Sequence, residues 1–379
     1  MKTLEQRLID FRHLLHQYPE LSNQEFETTK RIREFLASYH IKILDLPLQT
    51  GIVAEIGSDA SSGPVIALRA DIDALPIEEK SGVPFSSLHE GVMHACGHDV
   101  HTSVMLGACV LLKEQEALLP GKVRIVFQPA EEIAEGASAV LETGVLDDAS
   151  AIFGLHNDPS LPVGVLGSRP GALTAGVDRF SIHISGKGAH AAKPHEGNDP
   201  IIVSAQLIQA LQTIVSRNVP SYENAVISIT QIHSGNTWNV IPENAFLEGT
   251  VRTFGDETRR YVRRRMEETA RGISAVHGAE INLKWEFGVP SVNNDAGWTE
   301  FALETAEQTG YEVRTSAPTA VGEDFSFYQE KVPGAFVMIG SGGPYELHDP
   351  KFRADDRMIM QASRYFAQLA ANALEKLRS

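Results

Sequence analysis

The run Val65-Ile-Ala-Leu68 is apolar at every position, so a strand built from it needs cover on both faces, and a sheet layered between helices supplies that cover. The surrounding chain fits this demand. Residues 4–17 and 23–39 carry helical periodicity, separated by a break at Pro19. Strand-like runs at 51–56 and 65–70 precede a helix from about residue 102 to 116, a strand at 122–128, a helix at 136–142 and a strand at 151–156. Strands alternating with helices predict an α/β fold with a partly parallel sheet.

The texture changes after about residue 175. Phe180, Ile182 and Ile184 alternate with Arg179, Ser181, His183 and Ser185, which is the period of a strand with one face in solvent. A helix at 200–216, strands at 225–232 and 245–254, a helix at 256–277 and a strand at 280–287 complete a β-α-β-β-α-β order. That order is ferredoxin-like and long enough for a small α+β domain of its own. With 379 residues the chain exceeds one ordinary core. The division expected is a first domain interrupted by an insertion: 1–177 and 289–379 on either side of 178–288.

A net charge of −16 argues against nucleic acid, which needs a concentrated basic face. The densest basic stretch, Arg259 to Arg265, is interleaved with acids and reads as a solvated helix face. No run approaches the roughly 20 apolar residues of a membrane span, and residues 1–15 lack a signal-peptide pattern. Two cysteines, Cys96 and Cys109, make no disulfide framework, so a reducing cytoplasm is the expected compartment.

Chemistry concentrates in His94-Ala-Cys-Gly-His-Asp-Val-His101, where three histidines, a thiol and a carboxylate fall within eight residues. Imidazole, thiolate and carboxylate are ligands of zinc and its neighbours, and Gly97 permits a bend that aims two side chains at one point. A helix start capped by Asp99 would explain any one of these residues, but capping has no use for three histidines and a thiol. Glu131 and Glu132 follow the apolar run 123–127, and ligands of α/β sheets gather where strands end. Alone, the two acids also suit an ordinary acidic loop, and Glu132 with Glu135 could simply start the next helix. His156 closes the run 151–155, and His348 sits in a Gly/Pro-rich loop; each has an everyday reading as a core or surface histidine.

Taken in order, these motifs resemble the M20 family of metal-dependent amidohydrolases and peptidases, and within it the amidohydrolase branch of hippurate hydrolases, indole-acetyl-amino-acid hydrolases and N-acetyl-diaminopimelate deacetylases. The resemblance rests on Arg69-Ala-Asp-Ile-Asp-Ala-Leu-Pro76, His94-Ala-Cys-Gly-His-Asp99, Gln128-Pro-Ala-Glu-Glu132, Gly154-Leu-His156, Gly188-Ala-His190, Asn239-Val-Ile-Pro-Glu243 and Gly322-Glu-Asp-Phe325, across nearly the whole chain. It implies a mixed-sheet, zinc-peptidase-like catalytic domain with a ferredoxin-like lid inserted for dimerisation. It implies two divalent ions per subunit, with Cys96, His98, Glu132, His156 and His348 as ligands and Cys96 bridging. Glu131 matches the general base and His190 the lid histidine that reaches a partner's site. Asn239 and Arg252 match residues that meet the substrate, Arg252 through a free carboxylate. Where much of the family has His-x-Asp, this chain reads Asp71-Ile-Asp73. His98 then stands in for the missing ligand, and Asp73 is expected to orient a ligand histidine. His94, Asp99 and His101 are not counted as ligands.

The activity implied is hydrolysis of a small N-acyl, chiefly N-acetyl, amino acid by a metal-activated water with Glu131 as base. A mixed nitrogen, sulfur and oxygen donor set accommodates Zn, Mn, Co or Ni. On 248–252, alternation puts Glu248 and Arg252 on one face, so an ion pair between them also accounts for Arg252. Asn239 equally suits a turn before Pro242. Two other activities compete: a dipeptidase of the same family, and a metal-binding dimer without catalysis. Glu131 beside Glu132 argues against the second.

Overall fold

The computed structural model describes residues 2–57 and 63–378. It divides into two compact units, one of Met1–Leu173, Val292–Ala317 and Asp324–Ser379, the other of Thr174–Ser291 and Pro318–Glu323.

Among the described residues, the first unit has an eight-stranded mixed sheet in the order Lys42–Ile43, Ile52–Ile56, Lys122–Gln128, Val65–Asp71, Ala149–Asp158, Gly334–Gly340, Val165–Ser168 and Glu312–Thr315. The strands from Lys122–Gln128 to Gly334–Gly340 run parallel in the middle. Val65–Asp71 is buried at all of its positions, and the period of two sorts its side chains between two cores. Ile66, Leu68 and Ala70 face a core shared with the helices Leu4–Gln17, Phe26–Ser38, His98–Glu114 and Arg357–Arg378. Ala67 faces a second core, with Val53, Val126, Ile152 and Phe336, under the helices Gly136–Glu142 and Phe325–Gln329. The apolar run is therefore covered on both sides, as its composition demands.

Of the boundaries that differ from the sequence reading, one bears on the site. The central helix starts at His98, four residues before Thr102, directly after Gly97. Gly97 has a φ of +91°, and a Cβ there would meet Asn157 Oδ1 at 2.1 Å. The polar first turn looks like a loop in sequence because its side chains are spent on the site, yet His98, Asp99 and His101 are fully buried.

In the second unit, four antiparallel strands stand in the order Ala225–Ser234, Asn244–Thr253, Gly176–Ser185 and Glu280–Phe287. Numbered along the chain this is second, third, first, fourth, the ferredoxin-like order. Phe180, Ile182 and Ile184 pack under Pro200–Arg217 and Asp256–His277 with Val203, Leu207, Val262 and Met266. Arg179 and His183, on the other face, are exposed. Ala225–Ser234 forms one edge of this sheet, and its Val226 and Ile232 lie in solvent.

Candidate metal centre

The four parallel strands deliver their carboxyl ends to one edge of the first unit, where ligands of such sheets collect. Asp71 ends Val65–Asp71, and Asp73 follows it. Glu131 and Glu132 follow Lys122–Gln128, His156 lies near the end of Ala149–Asp158, and His348 sits in the loop after Gly334–Gly340. The His348 amide donates to Ala95 O at 2.9 Å, which ties that loop to the Cys96 segment.

Cys96 Sγ lies 3.3 Å from both His156 Nε2 and His348 Nε2. Among the described residues, ligand atoms within 4.8 Å of one another form five groups, three of which are Cys96 with His98 and His156, Cys96 with Glu132 and His348, and His98 with Glu131 and Glu132. Cys96 is common to the first two, and His98 to the first and third.

Asp73 organises this cluster. Its Oδ1 and its backbone carbonyl lie 3.1 and 3.0 Å from His98 Nδ1, which places a proton on Nδ1 and turns the Nε2 lone pair towards the cluster. Its Oδ2 accepts from Ser22 Oγ at 2.7 Å and from the Glu132 amide at 3.0 Å. His156 is fixed in the same sense, with Nδ1 donating to Asn157 O at 2.8 Å and Nε2 left towards Cys96.

The donor set fits divalent ions on two grounds. His98 Nε2 and Glu132 Oε1 are buried with no hydrogen-bond partner among the described residues, and each such group costs about 1–3 kcal/mol if nothing binds it. The electrostatics also ask for a cation. Burial and then the Glu132 carboxylate push the Cys96 thiol well up, and burial lifts Glu132 to about 7. Burial opposes a charge on His98, but Asp71 and Cys96 outweigh it and raise its pKa. Burial above all holds His156 down at about 3, so it is neutral and able to ligate.

The flanking histidines are differently placed. His101 Nδ1 meets Asp71 Oδ1 at 2.6 Å, and its Nε2 accepts the Asn157 amide at 2.9 Å, so both nitrogens are engaged. Asp99 accepts from Arg12 Nε at 2.7 Å and lies 2.9 Å from His16 Nδ1. His94 is buried with neither ring nitrogen hydrogen-bonded among the described residues.

Sequence reading passed over a fully buried network beneath the glutamates. Arg69 donates to Gln128 at 2.8 Å and to Asp71 and Asp324, each at 2.7 Å. The Asp324 amide in turn lies 3.4 Å from Glu131 Oε1. Glu25 was also missed; its carboxylate is buried against Thr50 and Ala130.

In the second unit, His190 pairs with Val240 across a short ribbon, and the Ala191 amide donates to Asn239 O at 3.1 Å. His190 and Asn239 are thus neighbours. His190 is exposed, and its Nδ1 accepts the Ala192 amide at 3.1 Å, which leaves Nε2 as the donor. Arg252 does not pair with Glu248, whose carboxylate is taken by Arg179 and Gln231. Arg252 instead donates to Ala320 O at 3.2 Å and to Thr250, and among the described residues it forms no ion pair.

The sequence matches the model of peptidase family M20/M25/M40 over residues 67–372. It is similar to an N-acetylcysteine deacetylase of Bacillus subtilis, 51% identical over 100% of this chain and 99% of that protein. An N-acetyl-L-cysteine deacetylase of the same organism is 49% identical over 99% of this chain and 90% of its own length. The crystal structure of a dinuclear metal-binding M20 peptidase from Bacillus subtilis superposes with a TM-score of 0.90 at 49% identity, covering 98% of this chain and 99% of that one.

Proposed function

The chain belongs to peptidase family M20/M25/M40, and from that premise we propose that it hydrolyses the amide of small N-acyl amino acids, N-acetyl ones foremost. The observation that carries this reading is Glu131 beside a cluster of Cys96, His98, Glu132, His156 and His348 whose lone pairs converge. Divalent ions held by those five residues would polarise the acyl carbonyl and acidify water.

The remaining steps fall to the chain's own groups. Glu131 takes the proton of the attacking water and returns it to the leaving nitrogen. His190 Nε2–H has the donor sense needed to stabilise the developing oxyanion. Arg252, a cation without an ion pair among the described residues, suits the substrate carboxylate, and in a protein of net charge −16 such a local positive charge is needed to attract an anion. Asn239, beside His190, would meet the substrate as well.

Both relatives named above act, by their names, on N-acetylcysteine, so that compound heads the test panel. Metal-loaded protein should turn over N-acetyl amino acids with a kcat/KM at least about tenfold above that for dipeptides ending in the same residues. The reverse preference would make the protein a dipeptidase.

The same reading makes the second unit a lid. Two lids joined along Ala225–Ser234 would satisfy that open edge and bury Val226 and Ile232 in a two-fold dimer. His190 of each chain would then serve the other's site. Mixing His190→Ala with Glu131→Gln under subunit exchange should restore roughly a quarter of wild-type activity, since half the dimers regain one site of two. Proven exchange without recovery would remove His190 from a partner's site.

A further inference from the structure

Glu25 occupies the N-cap position of the helix Phe26–Ser38, yet its side chain does not cap that helix. Glu20 does so instead, accepting the Glu27 and Thr28 amides at 3.2 and 2.7 Å. Glu25 is thereby freed for another task. Its carboxylate is fully buried, with Oε1 accepting the Ala130 amide and Oε2 accepting the Thr50 hydroxyl, both at 2.8 Å. Ala130 is the residue before Glu131 and has a φ of +51°, in the left-handed region that a side chain other than glycine disfavours.

Two further contacts close the brace. Thr29 Oγ1, one turn along the same helix, accepts the Gly51 amide at 2.8 Å. Gly51 packs so closely on the catalytic loop that a Cβ would meet Pro129 Cδ at 2.6 Å and Phe127 O at 2.8 Å. Glu132 has a separate anchor, because its amide is held by Asp73 at 3.0 Å.

We propose that Glu25 is a positioning residue: by holding Ala130 in its left-handed conformation it aims Glu131, while Asp73 aims Glu132. The inference rests on Glu131 being the base. Two roles for the loop thus have two anchors, and loosening one should spare the other. A structural strut alone would change stability without separating kcat from KM or from metal content.

The test compares Glu25→Ala, Glu25→Gln, Glu25→Ala/Ala130→Gly and Glu131→Gln, each measured for kcat, KM, metal content and melting temperature. Glu25→Ala should lower kcat on the order of 10- to 100-fold, the cost of a base displaced by a fraction of an ångström to one ångström. Its KM should change less than about threefold, and its metal content should match wild type. Glu25→Gln keeps an acceptor for Ala130 and should stay within about threefold of wild-type kcat. The added Ala130→Gly change removes the penalty on positive φ and should recover part of the kcat lost in Glu25→Ala.

If Glu25→Ala does not fold, Thr50→Val removes the second hold on the carboxylate and should cost about three- to tenfold in kcat at unchanged KM. Wild-type kcat in Glu25→Ala, or in Thr50→Val where that variant is used, overturns the proposal, as does an equal loss of kcat and metal. Activity in Glu131→Gln would instead overturn the assignment of the base.

Discussion

Glu131→Gln is expected to keep its fold and its metal ions while kcat falls by roughly 10²–10⁴, the usual cost of a lost acid/base group. The substitution is isosteric and keeps an oxygen able to accept from the Asp324 amide, so the loop has no cause to move. What disappears is a basic site that can take and return a proton. Glu132→Gln is the matched control. Glu132 Oε1 is buried without a hydrogen-bond partner among the described residues and belongs with Cys96 and His348. That change should show first in metal content. A Glu131→Gln protein short of metal beside a fully loaded Glu132→Gln protein would reverse the two roles.

Removal of the metal is the second large effect. Chelation should abolish turnover, and added divalent ion should restore it. Melting temperature should follow occupancy, since a ligand at a hundred times its Kd stabilises the folded state by about 2.7 kcal/mol. Loading should weaken as pH falls, because the Cys96 thiol, pushed up by burial and then Glu132, must lose its proton before it can ligate. Cys96→Ala removes the group common to two donor clusters, whereas Cys109 is buried in the apolar helix His98–Glu114 and belongs to none. Cys109→Ala should therefore lower stability and leave metal content alone. Full activity in demonstrably metal-free protein would end the metallohydrolase reading, and identical metal content in both variants would remove Cys96 from the ligand set.

What could be read from sequence was local and chemically unusual. Cys96 and His98 stand out because thiol and imidazole so close together have few other uses. The period of two in 180–184 is a direct imprint of one buried face, and the strands found there bear it out. Contacts without a local signature were missed. Arg69 meets Asp324 across 255 residues; both lie in motifs that carry the family resemblance, yet nothing local in either segment pairs them. Glu25 reads as an exposed helix acid until its reach to Ala130 is seen. The suggested Glu248–Arg252 pair failed for a related reason. Alternation gives the face a side chain occupies but not its nearest neighbour there, and Arg179 on the adjoining strand reaches Glu248 first.

The strand Gly334–Gly340 lies between Ala149–Asp158 and Val165–Ser168, strands made long before it, with Thr174–Ser291 synthesised in between. During translation the early sheet therefore waits with an open seam at its centre, and two strands present unpaired backbone to whatever is near. The intervening unit, contiguous apart from its six-residue segment Pro318–Glu323, has its own core and most of its sequence in hand before the seam can close. Completion of the candidate site consequently follows synthesis of the whole inserted unit. His348 arrives later still, so on the proposed ligand set a chain clipped before it cannot gather all five donors.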